Sequence, residues 1–219
     1  MLSDLRLFQL ISPSLPVGAF TYSQGLELAV EAGWIDTQGR FEEWLTGQLN
    51  HSLTTLELPM LDRMLIALDE NDAQAFNQLT KELIAWRETK ELRLEEKQRG
   101  AALARLLPQL DVNLQGLVLE ACQRTQLAGI AIAAHQWKIP RDKLFAGYLW
   151  SWLENAVMAG VKLIPLGQTQ GQQTLQRMAE YIEKSVELSK GVVNPNSVTP
   201  ALAIASSRHE TQYTRLFRS

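Results

Sequence analysis

The chain has 219 residues, of which 46% are apolar, so it can bury one substantial core. Its 21 basic and 24 acidic residues leave a formal net charge of −3, so no strong field draws it to nucleic acid or to an anionic membrane. The single cysteine, Cys122, excludes an internal disulfide and a thiolate metal cluster and favours a reducing cytoplasm. We expect neither a signal peptide nor a membrane span, because charged or polar residues interrupt every apolar run.

The N-terminal region contains the first irregular segment. A short helix is predicted at the start of the chain, and a second helix is predicted to begin near Tyr22. Between them lies SPSLPVGAF, residues 12–20, whose two prolines and one glycine predict an irregular connector. We expect Gly18 and Gly25 to provide backbone conformations or close contacts that a β-carbon forbids.

Apolar residues then recur at intervals of three and four, which predicts a series of amphipathic helices. These cover residues 41–56, 60–68, 76–86, 87–100, 114–135, 144–156 and 175–186. Residues 114–135, with many small side chains, are predicted to form one central packed helix. No segment alternates as a strand, so the expected fold is all-α, a single-domain bundle of roughly eight to ten helices.

The segment RETKELRLEEKQRG, residues 87–100, is predicted to be one highly charged helix. Arg87 with Glu91 and Glu95 with Arg99 have the i,i+4 spacing of helical ion pairs. Pro108 is expected to close this helix or to follow its end. The charges admit two interpretations, a solvated face or an interaction surface that tunes partner choice.

The C-terminal segment differs in composition from the rest. GVVNPNSVTP, residues 191–200, is poor in helix formers and is predicted to be a linker. We therefore divide the chain into a helical domain, residues 1–190, and a linker with a partly flexible, partner-binding tail, residues 191–219. The end of the tail, RHETQYTRLFRS, combines residue types that suit an interface. They are Arg208, Arg215, Arg218, Tyr213, Leu216 and Phe217.

Four segments, in order and over nearly the full length, resemble motifs of the UreF family of urease accessory proteins. They are SPSLPVGAFTYSQGLELAVEAGWI, WRETKELRLEEKQRG, WLENAVMAGVKLIPLGQ and SSRHETQYTRLFRS. The resemblance implies an all-helical protein that forms a homodimer and binds UreD, also called UreH. It further implies that the GTPase UreG then joins, and that the complex delivers nickel to apo-urease.

The resemblance also implies roles for individual residues. Tyr22, Gln24 and Glu27 in the first motif would shape a partner-facing surface, and Lys162 lies in a motif implicated in communication with UreG. Arg215 would recruit UreG by anchoring the tail. Further tail positions in the motif would supply buried area and polar contacts: Tyr213, Leu216, Phe217, Arg208 and His209. The alternative for these residues is a tail folded onto its own domain.

Lys162 stands in an otherwise apolar stretch, where an unpaired buried ammonium is costly. It therefore needs either an acidic partner, for which Glu154 is the nearby candidate, or an exit to solvent.

The motifs of common enzyme classes are absent. The sequence has no GxxxxGK[ST], no GxSxG and no HExxH, so we expect a protein that is not an enzyme. His51 and His135 have no second ligand at helical spacing, and His209 next to Glu210 is a weak signal for nickel. We predict no metal site and no tightly bound cofactor, with nickel handled by the complex.

Two other functions remain open from the sequence. One is a GTPase-regulating protein that acts directly on UreG through an inserted arginine. The other is a helical enzyme with a pocket lined by tryptophans, although aromatic residues at helical spacing more often belong to the core. The six tryptophans are Trp34, Trp44, Trp86, Trp137, Trp150 and Trp152.

Overall fold

The computed structural model describes all residues 1–219 and contains only helices and their connections. The α-helices are α1 Leu2–Ile11, α2 Leu26–Glu31, α3 Gln38–Gln48, α4 Leu58–Asp69, α5 Ala73–Ala85, α6 Lys90–Leu106, α7 Gly116–Arg124, α8 Gln126–Gln136, α9 Arg141–Leu163, α10 Gln168–Ser189 and α11 Pro200–His209. Eleven α-helices are present, and α3 and α4 are joined into one continuous helix, which leaves ten separate helices. The all-α prediction is confirmed. None of the helices combines the length and the apolar character needed to cross a membrane.

The rod of α3 and α4 contains a nine-residue π-helix, Leu49–Glu57. Pro59 lies in the turn that follows, and its ring nitrogen carries no hydrogen for the carbonyl of Thr55, four residues earlier. The backbone N–H of Asn196 donates to that carbonyl instead, at 3.0 Å, and Val198 N–H donates to His51 O at 2.9 Å. The predicted linker is therefore held along the π-helix by hydrogen bonds.

One continuous core unites the helices, and α8 runs through its centre. Every residue of α8 from Leu127 to Ala134 is buried, and α8 packs against α4, α6 and α7. The prediction of one helix over residues 114–135 is wrong, because Thr125 is extended, with φ −146° and ψ 143°. Its side chain accepts a hydrogen bond from the N–H of Leu127 and so caps the start of α8. Threonine is a preferred N-cap residue, and an N-cap has a non-helical backbone conformation, so the helix is interrupted here.

The charged segment also departs from its prediction. Thr89 caps α6 through the N–H of Leu92, so Arg87 lies in the connection before the helix and not within it. The expected pair of Arg87 with Glu91 therefore does not form, whereas the pair of Glu95 with Arg99 forms at 2.6 Å. A 3-10 turn, Leu107–Leu110, contains Pro108 and follows the end of α6, as expected.

Two glycines of the N-terminal motif have the backbone role predicted for them. Gly18 has φ +72° and Gly25 has φ +77°, values that favour glycine. A β-carbon on Gly25 would lie 3.1 Å from Cβ of Ala205 in α11. The start of α2 is thus packed tightly against α11, which leads into the C-terminal tail.

Two glycine substitutions test the packing of this bundle. A β-carbon on Gly100 would lie 2.7 Å from the carbonyl oxygen of Cys122 and 2.8 Å from the backbone nitrogen of Thr125, neither of which can rotate away. Gly100→Ala should therefore lower the free energy of unfolding by about 1–3 kcal/mol. In α3, a β-carbon on Gly47 would meet nothing within 4 Å. Because alanine favours the helix more than glycine does, Gly47→Ala should raise the free energy of unfolding by up to about 1 kcal/mol.

Urea denaturation followed by circular dichroism measures both changes in parallel. Equal stability of Gly100→Ala and the unaltered protein would show that α6 does not approach the α7–α8 connection as closely as described.

Candidate partner-docking site

The C-terminal tail, residues 210–219, is folded back onto the bundle. The backbone N–H and hydroxyl of Ser23 donate to Ser219 O at 2.6 and 2.5 Å, and Arg218 N–H donates to Thr21 O at 2.8 Å. Phe217 is only 7% exposed and belongs to the core. The expectation of a partly flexible tail is therefore not supported, and the structure matches the alternative of a tail folded onto its own domain.

Glu27, in the first turn of α2, is the main acceptor for the tail. Its Oε1 accepts the N–H of Leu216 at 2.6 Å, and its Oε2 accepts the N–H of Phe217 at 2.9 Å. Oε2 also lies 3.2 Å from Nε2 of His209. Hydrogen bonds to an ionised carboxylate are stronger than those between neutral groups, so this buried side chain fixes the backbone of the tail.

A second carboxylate completes the arrangement. Oε2 of Glu91, on α6, lies 2.8 Å from Nδ1 of His209, and its Oε1 accepts a hydrogen bond from Arg215 at 2.8 Å. His209 is fully buried, while the side chain of Arg215 is 40% exposed. We call Glu27, Glu91, His209 and Arg215 the latch, since they join α2, α6, the end of α11 and the tail.

The latch leaves two large tail side chains in solvent. Tyr213 is fully exposed and Leu216 is 73% exposed, although the backbone of Leu216 is held by Glu27. Leu216 lines a cleft together with Leu94 of α6, which is 45% exposed. Arg208 is also exposed, at the end of α11. Exposed aromatic and aliphatic groups on a fixed backbone have the character of interface anchors.

Lys162 is exposed, which agrees with the exit to solvent and not with a buried pair. Its Nζ lies 5.8 Å from the centre of the Phe217 ring, within the range of a cation–π contact. No ion pair joins it to Glu154. Lys162 therefore connects the end of α9 with the tail.

The other residues of the N-terminal motif point inward. The hydroxyl of Tyr22 donates to Gln98 Oε1 at 2.6 Å, and burial, helped by Glu95, raises the pKa of this phenol. Gln24 donates to Glu95 at 3.0 Å and accepts the indole N–H of Trp152 at 3.1 Å. Direct partner contact by these residues stays a prediction, and their observed contacts support α6 and α9 beneath the tail.

Sequence reasoning missed a buried ionic cluster beside this support. Arg87 donates to Glu57 at 2.8 Å and to Glu96 at 2.5 Å, and Tyr148 donates to Glu57. Burial alone would lower the pKa of Arg87, but Glu57 and Glu96 raise it above its ordinary value. Burial would raise the pKa of Glu96, yet Arg87 and the hydroxyl of Thr125 lower it overall. One feature of the sequence could have indicated this cluster: Glu57 directly follows the apolar stripe of the helix predicted over residues 41–56.

In the latch and in the ionic cluster, each acidic side chain is paired with a basic side chain. The structure contains no group of three or more His, Cys, Asp or Glu side chains arranged to hold a metal ion. Both ring nitrogens of His209 face carboxylates, so the neighbouring Glu210 is not its partner.

Comparison with known proteins relates the whole chain to one family. The profile of the UreF family matches residues 35–179. The urease accessory protein UreF of Pseudomonas putida (strain W619) is 50% identical, over 100% of this chain and 98% of its own. The proteins of the same name from Alcanivorax borkumensis and Klebsiella pneumoniae (strain 342) are 49% and 44% identical, each over 98% of this chain and 97% of their own. The similarity to the Pseudomonas protein thus extends through the tail.

Replacing Glu27 tests whether it holds the tail. Glu27→Ala removes the acceptor of two backbone N–H groups, each contributing about 1.5–3 kcal/mol when the acceptor is charged. The tail should detach while the helical circular-dichroism signal remains, and limited trypsin digestion after Arg215 should become much faster. Glu43→Ala, at an exposed position of α3, is the matched control and should leave digestion unchanged.

Replacing Arg87 tests the ionic cluster. Arg87→Met leaves Glu57 and Glu96 without their cation, which at pH 7 should lower the free energy of unfolding by about 3–5 kcal/mol. The exposed pair of Arg177 with Glu42 provides the control, and Arg177→Met should change little. Urea denaturation measures both.

The effect of Arg87→Met should shrink as the pH falls. In the unaltered protein the pKa of Glu96 lies below its ordinary value of 4.5, so its pairing stabilises the fold above that pH and is lost as the pH falls through the lowered pKa. In the variant, Glu96 can take up a proton and relieve its buried charge. A destabilisation that grows towards acid pH would contradict this explanation.

Proposed function

The chain belongs to the UreF family, and we propose that it is a urease accessory protein that acts as an adaptor. It binds UreD (UreH) and recruits the GTPase UreG, so that nickel is delivered to apo-urease during GTP-dependent maturation. Nickel is the cargo of this complex and is not a resident cofactor of the chain. We also propose that the chain acts as a homodimer in the cytoplasm, where its single buried cysteine suits reducing conditions.

The observation that carries the adaptor role is the latch beneath an exposed pair of anchors. Glu27 and Glu91 fix the tail in the free chain, while Tyr213 and Leu216 remain in solvent. A partner that binds this surface does not have to order the tail, so less of its binding energy is lost to conformational entropy. Such a surface suits a stable protein–protein contact.

The polar groups at the site support an accessory role over a catalytic one. The carboxylates and the imidazole of the latch are engaged with one another or with the tail backbone. A general acid or base must instead reach a substrate atom within hydrogen-bond distance. The latch thus serves to hold a surface in place.

The geometry favours the adaptor over a direct regulator of UreG. An arginine that acts by insertion must reach the phosphates of the bound nucleotide. Arg215 is instead paired with Glu91 and would first have to leave it. Single-turnover GTP hydrolysis by UreG, with and without this chain, separates the two functions, since an adaptor alone does not require a faster rate.

Replacing the two exposed anchors tests the proposed surface. Tyr213→Ala with Leu216→Ala removes contact area without touching the latch, so thermal stability should be unchanged. Interface anchors contribute on the order of 2 kcal/mol or more each, so the dissociation constant for a partner that uses both should rise by about a thousandfold. Copurification with UreD, followed by addition of UreG and GTP, measures the loss.

The control is Val193→Ala, a similar truncation of a 77% exposed side chain in the linker, which should bind as the unaltered protein does. Arg215→Ala should weaken recruitment of UreG as well, because it removes the partner of Glu91. Full retention of UreD and UreG by the double variant would rule out this surface as the docking site.

A further inference from the structure

A groove between α3 and the start of α11 has no part in the site described above. Its volume is about 370 Å³, within the range of ligand-binding pockets. We call it the α11 groove, and its wall includes Trp34, Trp44, Gly47, Gln48, Thr199 and Leu202. Because a β-carbon on Gly47 would meet nothing within 4 Å, this glycine leaves open space in the groove.

The first turn of α11 presents hydrogen-bond donors that have no partner in the chain. Thr199 is the N-cap residue of α11, and its side chain makes no capping hydrogen bond, although threonine is a preferred cap. The backbone N–H groups of Ala201 and Leu202 have no backbone acceptor either. This turn therefore offers three donors to a ligand, at the positive end of the helix dipole.

Two polar side chains of the α11 groove are buried without a hydrogen-bond partner. Gln48 and Thr199 are only 7% and 9% exposed, and both line the groove. Buried polar groups ordinarily have a hydrogen-bond partner, so this burial points to a ligand that supplies one. The carboxamide of Gln48 has two N–H donors and one acceptor oxygen, which complement the two polar groups of a peptide bond.

The charges favour an anionic group at the start of α11. Arg40 and Glu43 line the groove from α3, three residues apart, and offset each other. The partial positive charge of a helix N-terminus favours a carboxylate among its free N–H groups. Trp34, Trp44 and Leu202 supply an apolar surface in the same groove.

We propose that the α11 groove binds the C-terminal end of a partner polypeptide whose last residue is apolar. Such a residue carries a carboxylate and an apolar side chain on one carbon atom, which matches donors next to an apolar wall. The carboxylate accepts hydrogen bonds from the first turn of α11, and Gln48 pairs with the preceding peptide group. The chain's own C-terminus is not the occupant, because Ser219 is buried against Ser23. The proposal goes beyond the adaptor function and does not rest on it.

Two probe peptides that differ in one group test the proposal. One is fluorescein-labelled Gly-Ser-Ala-Val-Leu with a free C-terminal carboxylate, and the other is the same peptide with a C-terminal amide. Fluorescence anisotropy with the full-length chain should show that amidation raises Kd by about tenfold or more, because charge-assisted hydrogen bonds are lost. In ¹⁵N spectra the free acid should shift the amide signals of Ala201 and Leu202, and the buried amide of Ile132 in α8 is the reference.

Two substitutions locate the binding in the α11 groove. Gly47→Leu fills the open space and should raise Kd for the free acid by about tenfold or more. Gly39→Leu is the matched control, since a β-carbon on Gly39 also meets nothing within 4 Å and this residue does not line the groove. Gln48→Met removes the carboxamide, so Kd should rise by about threefold to tenfold while stability to urea is unchanged or higher.

The proposal is overturned if the free acid does not bind at about 1 mM, or if the acid and the amide bind equally well. It is also overturned if amidated Gly-Ser-Ala-Asp-Leu binds as tightly as the free acid, because the groove then recognises an internal acidic side chain. If Gly47→Leu does not fold, the comparison of acid with amide on the unaltered chain decides. These measurements contain no urease accessory protein besides this chain, so a negative result leaves the adaptor function untouched.

Discussion

The carboxylate of Glu27 is the interaction on which the C-terminal part of the structure depends. A tail without regular secondary structure must find partners for its backbone N–H groups, or leave them to water. Glu27 accepts hydrogen bonds from two consecutive backbone N–H groups, those of Leu216 and Phe217, and so holds the tail against the bundle. Because α2 is short and its N-cap residue, Gly25, packs against α11, this carboxylate is placed where the tail returns.

A second constraint acts on the linker, residues 191–200, which precedes α11 and the tail. Pro59 leaves the carbonyl of Thr55 without its α-helical donor, and Asn196 of the linker supplies one. The linker and the tail are thus both fixed by backbone hydrogen bonds to groups of the helical domain. A segment poor in helix formers becomes ordered because the bundle offers partners that the segment does not have itself.

The sequence predicted the helices well where apolar spacing was regular, as in α4, α5, α9 and α10. It failed at Thr125, where a capping side chain starts α8 directly after α7 without interrupting the apolar pattern. It also began α6 too early, at Arg87, because Thr89 caps that helix. The prediction that the tail was partly flexible was based on composition. Composition does not reveal that Glu27 accepts hydrogen bonds from the backbone of the tail.

The candidate site was predicted in part. Residue types identified the exposed anchors Tyr213 and Leu216, because large side chains in a polar tail suggest an interface. The pairing of His209 with Glu27 and Glu91 could not be predicted, since 182 and 118 residues separate the partners and no local spacing records the contact.

In this structure the tail is fixed on the bundle before any partner binds. Backbone ¹⁵N relaxation of the free chain measures this order through the order parameters of the amides of residues 216–219. We predict values near 0.85, equal to those of the surrounding helices. Values below about 0.6 for these residues, with rigid helices around them, would show that the tail is not fixed in the free chain.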